Sequence, residues 1–63
     1  MQTPADVVTE VLGVRPLARS LGIVPSAILR WRERGGEIPS RYHKQIIELS
    51  DGKITPNDLV YGR

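Results

Sequence analysis

Residues 17–35 read LARSLGIVPSAILRWRERG, and this stretch decides the expected fold. Its apolar side chains recur at the spacing of two helix faces, Leu17, Ala18 and Leu21 on one and Ala27, Ile28 and Trp31 on the other. Gly22 lies between the two faces, and glycine readily takes the positive φ that ends a helix. Ile23 is then expected to point back into the core, and Pro25 suits the first turn of the second helix. The stretch therefore predicts two short helices, joined by a tight turn, that cross steeply.

Start signals for further helices flank this stretch on both sides. Thr-Pro-Ala-Asp at 3–6 and Thr-Pro-Asn-Asp at 55–58 each place a hydroxyl cap before a proline, with an acid three residues after the cap. They predict a first helix over 4–12 and a short last helix or turn that buries Leu59.

A fourth helix is expected over about 39–50. Its inward face is assigned to Tyr42, Ile46 and Leu49, with Ile47 at the edge and His43 in solvent. No segment alternates apolar and polar residues for long enough to predict a strand, although Ile54 is a candidate for an isolated pairing. The chain is therefore expected to be one all-α domain over 1–63, a compact bundle of about five short helices.

The composition excludes several classes of protein. With 63 residues and 7.0 kDa, the chain has room for one domain. It has no cysteine and a single histidine, which excludes thiolate and multi-histidine metal sites. No nucleophile, base and orienting group occur together, so we expect neither an enzyme nor a cofactor. No apolar run is long enough for a membrane span, and the acidic first residues are unlike a signal peptide, so a cytoplasmic protein is expected.

The charges are unevenly placed along the chain. The stretch from Arg15 to Lys44 has seven positive and two negative side chains, whereas the remainder has two positive and five negative ones. Seven of the nine cations are arginines, whose planar guanidinium binds phosphate or a guanine edge with two parallel hydrogen bonds. This pattern favours a polyanionic partner. The alternative is that the arginines lie on solvated helix faces without a partner.

The two central helices carry the functional prediction. Eight positions match the spacing of a helix-turn-helix, namely Leu17, Ala18, Leu21, Gly22, Ile23, Ala27, Ile28 and Trp31. Ala18 is small where the helices cross, Gly22 makes the turn, and Ile23 fills the angle between the helices. Because this unit lies in the basic part of the chain, it predicts binding to double-stranded DNA.

The same residues resemble a known family. LARSLGIVPSAILRWRERG at 17–35, followed by IPSRYHKQIIELSDGKITPNDL at 38–59, is similar to the short Cro/cI-type regulators of phages and prophages, especially the YdaS-like repressors and antitoxins. The shared pattern is an LAR.LG helix, a recognition helix ending in W..RG, an IP that opens the next helix and a G..T..DL tail. The resemblance covers residues 13–60 and implies a lambda repressor-like domain of five helices, operator binding and usually a two-fold dimer.

One residue departs from the family pattern. The family commonly has serine or threonine just before the proline that opens the recognition helix, whereas this chain has Val24. Valine has no oxygen to cap the helix, and Pro25 has no amide hydrogen. Any anion contact at this helix start is therefore expected from the amide of Ser26 and those that follow it.

Helical periodicity assigns the residues that face the bases. The expected base contacts are Pro25 at the leading tip, Ser26, Leu29 and Arg30. Arg30 is assigned to a guanine, whose O6 and N7 accept a bidentate contact. Ser26 is placed to donate to a base or a phosphate, and Leu29 to pack on a thymine methyl group. The alternative for Leu29 is an exposed leucine without a role.

Five further arginines are assigned to the DNA backbone, namely Arg15, Arg19, Arg32, Arg34 and Arg41. Arg15 and Arg19 belong to the first helix of the motif, which crosses the phosphates. Arg34 is alternatively a counter-charge at the negative end of its helix. Arg32 alternatively pairs with surface acids.

Two kinds of protein partner are considered. A single recognition helix reads few base pairs, so we expect a homodimer that acts as a repressor on a pseudo-palindromic operator. Its interface is assigned to Leu59, Val60 and Tyr61, which alternatively only close the monomer core.

The competing hypothesis is an antitoxin or another protein-binding module that neutralises a partner protein. DNA binding through phosphates weakens steeply with salt, by about 0.9 in log K per neutralised phosphate, whereas the competing hypothesis predicts a flat response.

Overall fold

The computed structural model describes the whole chain, Met1–Arg63. Five α-helices follow one another without a strand, namely α1 Pro4–Leu12, α2 Val14–Leu21, α3 Pro25–Glu33, α4 His43–Leu49 and α5 Pro56–Tyr61. A 3-10 turn, Ser40–Tyr42, precedes α4. The predicted all-α fold of five short helices is confirmed. None of the helices combines the length and the apolar character that crossing a lipid bilayer requires.

A single hydrophobic core holds the helices together. Its buried side chains are Ala5, Val7, Val8, Leu17, Ala18, Ile28, Ile38, Ile46, Ile54 and Leu59. α1 packs against α2, α3 and α5, while α4 packs against α2 and α5. α3 packs against both α2 and α1, so these two helices set its position.

Both Thr-Pro-x-Asp signals form the reciprocal hydrogen bonds of a capping box. At the start of α1, the Thr3 hydroxyl accepts from the Asp6 amide at 3.2 Å, and the Asp6 carboxylate accepts from the Thr3 amide at 3.2 Å. At the start of α5, the corresponding distances between Thr55 and Asp58 are 3.3 Å and 3.0 Å. The predicted starts of the first and last helices are therefore confirmed.

The turn between α2 and α3 is formed as the sequence predicts. Gly22 has a φ of +70°, and its amide donates to the Arg19 carbonyl at 3.3 Å. The Ile23 amide donates to the Ala18 carbonyl at 3.0 Å, and the Ile23 side chain packs against the core. These two hydrogen bonds form a Schellman motif, which ends a helix and turns the chain back toward it.

The fourth helix is shorter than the predicted 39–50, since Ser40–Tyr42 form a 3-10 turn before α4. Its inward face is partly as predicted, because Tyr42 and Ile46 pack inward whereas Leu49 does not. Leu49, which was assigned to the core, is 39% exposed. The inward positions, at helical spacings of three and four, are His43, Ile46, Ile47 and Ser50. The Nε2–H of His43 donates to the Ile38 carbonyl at 2.9 Å, so this side chain is half-buried rather than in solvent, and the Ser50 hydroxyl donates to the Ile47 carbonyl at 2.9 Å. Apolar periodicity misses this face because two of its four positions carry polar side chains that find hydrogen-bond partners locally.

The isolated strand pairing considered for Ile54 does not form. Its amide instead donates to the Ser50 hydroxyl at 3.0 Å, and its side chain is buried in the core. The turn that precedes it takes positive φ at Asp51 and Gly52, +55° and +84°. The chain therefore turns at these two residues and returns to the core without a strand.

The loop after α3 ties that helix to α1. Gly36 has a φ of +83°, its amide donates to the Trp31 carbonyl at 2.7 Å, and its carbonyl accepts from the Ala5 amide at 2.9 Å. Gly36 is buried, and a Cβ at this position would overlap the side chain of Thr3. The close approach of the loop to α1 is therefore one that only glycine permits.

Candidate nucleic-acid interface

The outward face of α3 is accessible. The four residues assigned to base contacts are all exposed, namely Pro25, Ser26, Leu29 and Arg30. On the opposite side of the helix Ile28 is fully buried, and Ala27 and Trp31 are half-buried. The structure therefore places the four assigned side chains together on one surface of one helix.

The inward side of α3 is fixed to the rest of the molecule. Ile28 has no exposed surface, and the Trp31 ring lies 5.5 Å from the ring of Tyr42, tilted by 39°. The Tyr42 ring in turn has the Arg41 guanidinium over it, 5.0 Å from the ring centroid. This packing holds α3 between the core and the 3-10 turn, so the exposed face has one defined orientation.

The start of α3 has no side-chain cap, as expected from Val24. The Ala27 amide donates to the Val24 carbonyl at 3.0 Å, and Pro25 has no amide hydrogen. The Ser26 amide makes no hydrogen bond within the chain. It is therefore a free donor at the end of the helix where the dipole is positive.

Most of the arginines assigned to DNA have no acidic partner. The chain contains two ion pairs, Arg32 with Asp6 at 3.2 Å and Arg63 with Asp58 at 3.0 Å. The arginines without an ion pair are Arg15, Arg19, Arg30, Arg34 and Arg41. The pairing that was the alternative for Arg32 is therefore observed, and part of its hydrogen-bonding capacity is used within the fold.

The ion pair of Arg32 joins the end of α3 to the start of α1. Its Nε donates to a carboxylate oxygen of Asp6, which also belongs to the capping box of α1. The pKa of Asp6 is lowered, first by the hydrogen bond from the Thr3 amide and further by Arg32. One carboxylate thus caps α1 and anchors α3.

α2, the helix before α3, presents two exposed arginines. Arg15 and Arg19 are both exposed and stand one turn apart, so they share a side of the helix. The Ser20 carbonyl of the last turn of α2 accepts from Nε2 of Gln45 at 2.9 Å, which ties α2 to α4. Sequence reasoning did not assign Gln45, because no local pattern relates it to a residue 25 positions earlier.

Beyond α3 the surface opens into a cleft of about 350 Å³. Its lining residues are Trp31, Arg34, Glu37, Ile38, Pro39 and Ser40. Arg34 therefore shares the cleft with the carboxylate of Glu37, an acid that reduces the local positive potential. Ser40 also lines this cleft, and the sequence did not single it out because a lone serine after a proline carries no functional signal.

The surface assigned to a dimer is only partly available. Leu59 is 2% exposed within a single chain, so its assignment to the interface is wrong. It is needed to close the core between α5 and α1 because a chain this short has few apolar side chains to spare. Val60 and Tyr61 are 58% and 76% exposed, and they line a groove of about 320 Å³ with Met1.

The structure contains no group of three His, Cys, Asp or Glu side chains that could hold a metal ion. Comparisons of the chain with models of protein families, with curated proteins and with solved structures find no match. The residues and the geometry of this chain are thus the basis for assigning its function.

Proposed function

We propose that this chain is a sequence-specific DNA-binding regulator of transcription in which α2, the turn at Gly22 and α3 act as a helix-turn-helix. The outward face of α3 carries the proposal. Arg30 on this face is exposed and forms no ion pair, and Ile28 and Trp31 fix the helix on which it stands. An unpaired guanidinium on a fixed helix suits a bidentate contact to O6 and N7 of a guanine in the major groove.

Groups around this face are suited to the phosphate backbone. Arg15 and Arg19 carry free positive charge on α2, the helix that crosses the backbone in this motif. The free amide of Ser26 adds a donor at the positive end of α3. Phosphate contacts of this kind fix the position of a protein on the duplex, while the base contact supplies specificity.

We further propose that the regulator acts as a homodimeric repressor in the cytoplasm, on an operator with two related half-sites. One nine-residue helix contacts few base pairs, so the recognition of an operator needs a second copy. The exposed Val60 and Tyr61 of α5 are the residues assigned to contact that copy.

The first test is selection of duplexes from a random-sequence library by the purified chain at low ionic strength, followed by titration of the enriched sequence. We expect Arg30→Ala to relax the preference at one base pair, at a cost of about 1–3 kcal/mol. Arg19→Ala should weaken binding to all duplexes about equally and reduce the salt slope by about 1. Lys53→Ala, a change of an exposed cation in the turn before α5, serves as the control and should alter neither. Absence of any enriched duplex would contradict the proposal.

A second candidate function is binding to a partner protein, as in an antitoxin. The observation that favours it is the exposure of Val60 and Tyr61, 58% and 76%, away from the two central helices. Affinity for duplex DNA that is unchanged between low and physiological salt would favour this candidate, because neutralised phosphates release counterions and make binding salt-dependent.

A further inference from the structure

The leading end of α3 is apolar as well as basic. Val24 is 62% exposed and Leu29 is 45% exposed, and the exposed Pro25 lies between them in the chain. Neither Val24 nor Leu29 belongs to the hydrophobic core or packs against it. The fold therefore leaves two branched aliphatic side chains in water, one just before and one in the middle of the helix that is proposed to meet DNA.

The positive charges near these side chains indicate the chemistry of their partner. Arg30 follows Leu29 directly, Arg19 stands on the preceding helix, and neither has an acidic partner. Free positive charge beside a small apolar surface suits a polyanion that itself carries small apolar groups. In the major groove, the methyl group at C5 of thymine is the apolar feature that distinguishes one base pair from another.

Resting on the proposed function, we infer that Val24 and Leu29 read the 5-methyl groups of two thymines in each half-site. Val24 is the extended N-cap residue just before α3, and Leu29 lies in the middle of the helix, five residues further along the chain. Because the two residues stand more than one helical turn apart, we expect them to meet different thymines, and the guanine of Arg30 to lie close to the one that Leu29 contacts.

The test replaces single thymines by deoxyuridine in the duplex that the purified chain enriches from the random library. This exchange removes one methyl group and leaves every hydrogen-bonding group of the base in place. We expect Kd, measured by fluorescence anisotropy at one fixed salt concentration, to rise about four-fold at two positions of each half-site, the effect of losing one buried methyl-sized group.

Two variants assign each methyl contact to a side chain. Val24→Ala should abolish the response to deoxyuridine at one thymine, and Leu29→Ala should abolish it at the other. Leu49→Ala is the matched control, because Leu49 is 39% exposed on α4 and should keep both responses. Thermal unfolding should show that all three variants remain folded, since each change removes atoms from an exposed side chain.

The outcomes separate the inference from the function on which it rests. If deoxyuridine leaves Kd unchanged at every position while Arg30→Ala still relaxes the base preference, the methyl contacts are overturned and DNA binding stands. A deoxyuridine response that persists in both alanine variants would overturn them too, because the methyl group would then act through the shape of the DNA. Failure to enrich any duplex would overturn both.

Discussion

The starts of α1, α3 and α5 each have a proline in the first turn. The starts of α1 and α5 have a side-chain cap, whereas the start of α3 has none. Thr3 with Asp6 and Thr55 with Asp58 form complete capping boxes. Val24 caps nothing at the start of α3. The capped starts also have an arginine bound to their acid, whereas no acid lies in the first turn of α3.

This difference separates what the fold needs from what it leaves for a partner. At α1 and α5 the chain satisfies its own amides, and both acids hold a distant arginine in place. At α3 an amide and two apolar side chains remain in water, which contributes nothing to the stability of the free protein. The proposed recognition surface thus lies on the helix that keeps an amide and two apolar side chains without partners within the chain.

The largest effect is expected at Gly36, where the loop after α3 meets the capped start of α1. Gly36→Ala places a Cβ on the Thr3 side chain and forces alanine into a φ of +83°. Strain of about 1–2 kcal/mol from the backbone adds to about 1–3 kcal/mol from overpacking, out of a total stability of roughly 5 kcal/mol. We therefore expect a remaining stability between about 0 and 3 kcal/mol, seen as a strongly lowered thermal midpoint by circular dichroism.

Gly35→Ala is the matched control for that change. Gly35 has a similar φ of +88°, but a Cβ there meets no atom within 4 Å. It should lose only the backbone part and remain folded. Equal losses in the two variants would show that the close approach to Thr3 is unimportant.

A smaller effect is expected when a capped start loses its cap. Thr55→Ala removes the hydroxyl that accepts from the Asp58 amide, and should lower the free energy of unfolding by about 1 kcal/mol. Urea unfolding measures this loss. Ser26→Ala, the matched change in the first turn of the uncapped helix, removes a hydroxyl that caps nothing and should leave stability nearly unchanged.

Giving α3 the missing cap should stabilise the protein and weaken its proposed activity. Val24→Ser supplies an oxygen at the N-cap, worth about 1 kcal/mol, and removes the apolar group inferred to contact a thymine. We expect a higher thermal midpoint together with about four-fold weaker binding to the enriched duplex. A variant that gains both stability and affinity would contradict a partner-binding role for the uncapped start.

Asp58, the acid of the α5 capping box, should make the stability depend on pH, and this effect is the smallest one near neutral pH. The hydrogen bonds from the Arg63 guanidinium, followed by that from the Thr55 amide, lower the pKa of Asp58 from 3.8 to about 2. Because the folded pKa lies below the unfolded one, the stabilisation is complete above about pH 4 and is lost as the pH falls toward 2. Thermal midpoints measured from pH 6 to pH 2 should show this loss.

Two variants identify the source of that pH dependence. Arg63→Gln removes the main cause of the lowered pKa of Asp58, so less stability should remain to be lost on acidification. Arg41→Gln removes an arginine that has no acidic partner and should keep the wild-type profile. Identical acid profiles for Arg63→Gln and the wild type would contradict the assignment to the Arg63 pair.

Much of the fold follows from local patterns in the chain. Residues only a few positions apart decide the capping boxes, the positive φ of Gly22 and the inward position of Ile28, so the sequence predicts these features. The exposed face of α3 follows from the same periodicity. The base-contact residues are therefore placed correctly on the surface, while their contact with DNA stays a prediction.

Other features depend on contacts that the spacing of apolar residues does not show. The burial of His43 and Ser50 requires carbonyl and amide partners outside the apolar pattern, and Gly36 requires Thr3 beside it. Leu59 is apolar and near the chain end, so its sequence context does not distinguish a core position from a dimer surface.

The amino-acid sequence by itself determined the number of helices, the starts of α1, α3 and α5, the end of α2 at Gly22 and the side of α3 that faces outward. These features depend on capping groups, glycines and spacing within one or two turns. Only the tertiary structure decided which arginines stay free and which acids hold them. Asp6 meets Arg32 across 26 positions of the chain, and such an encounter exists only once the core has brought α1 and α3 together.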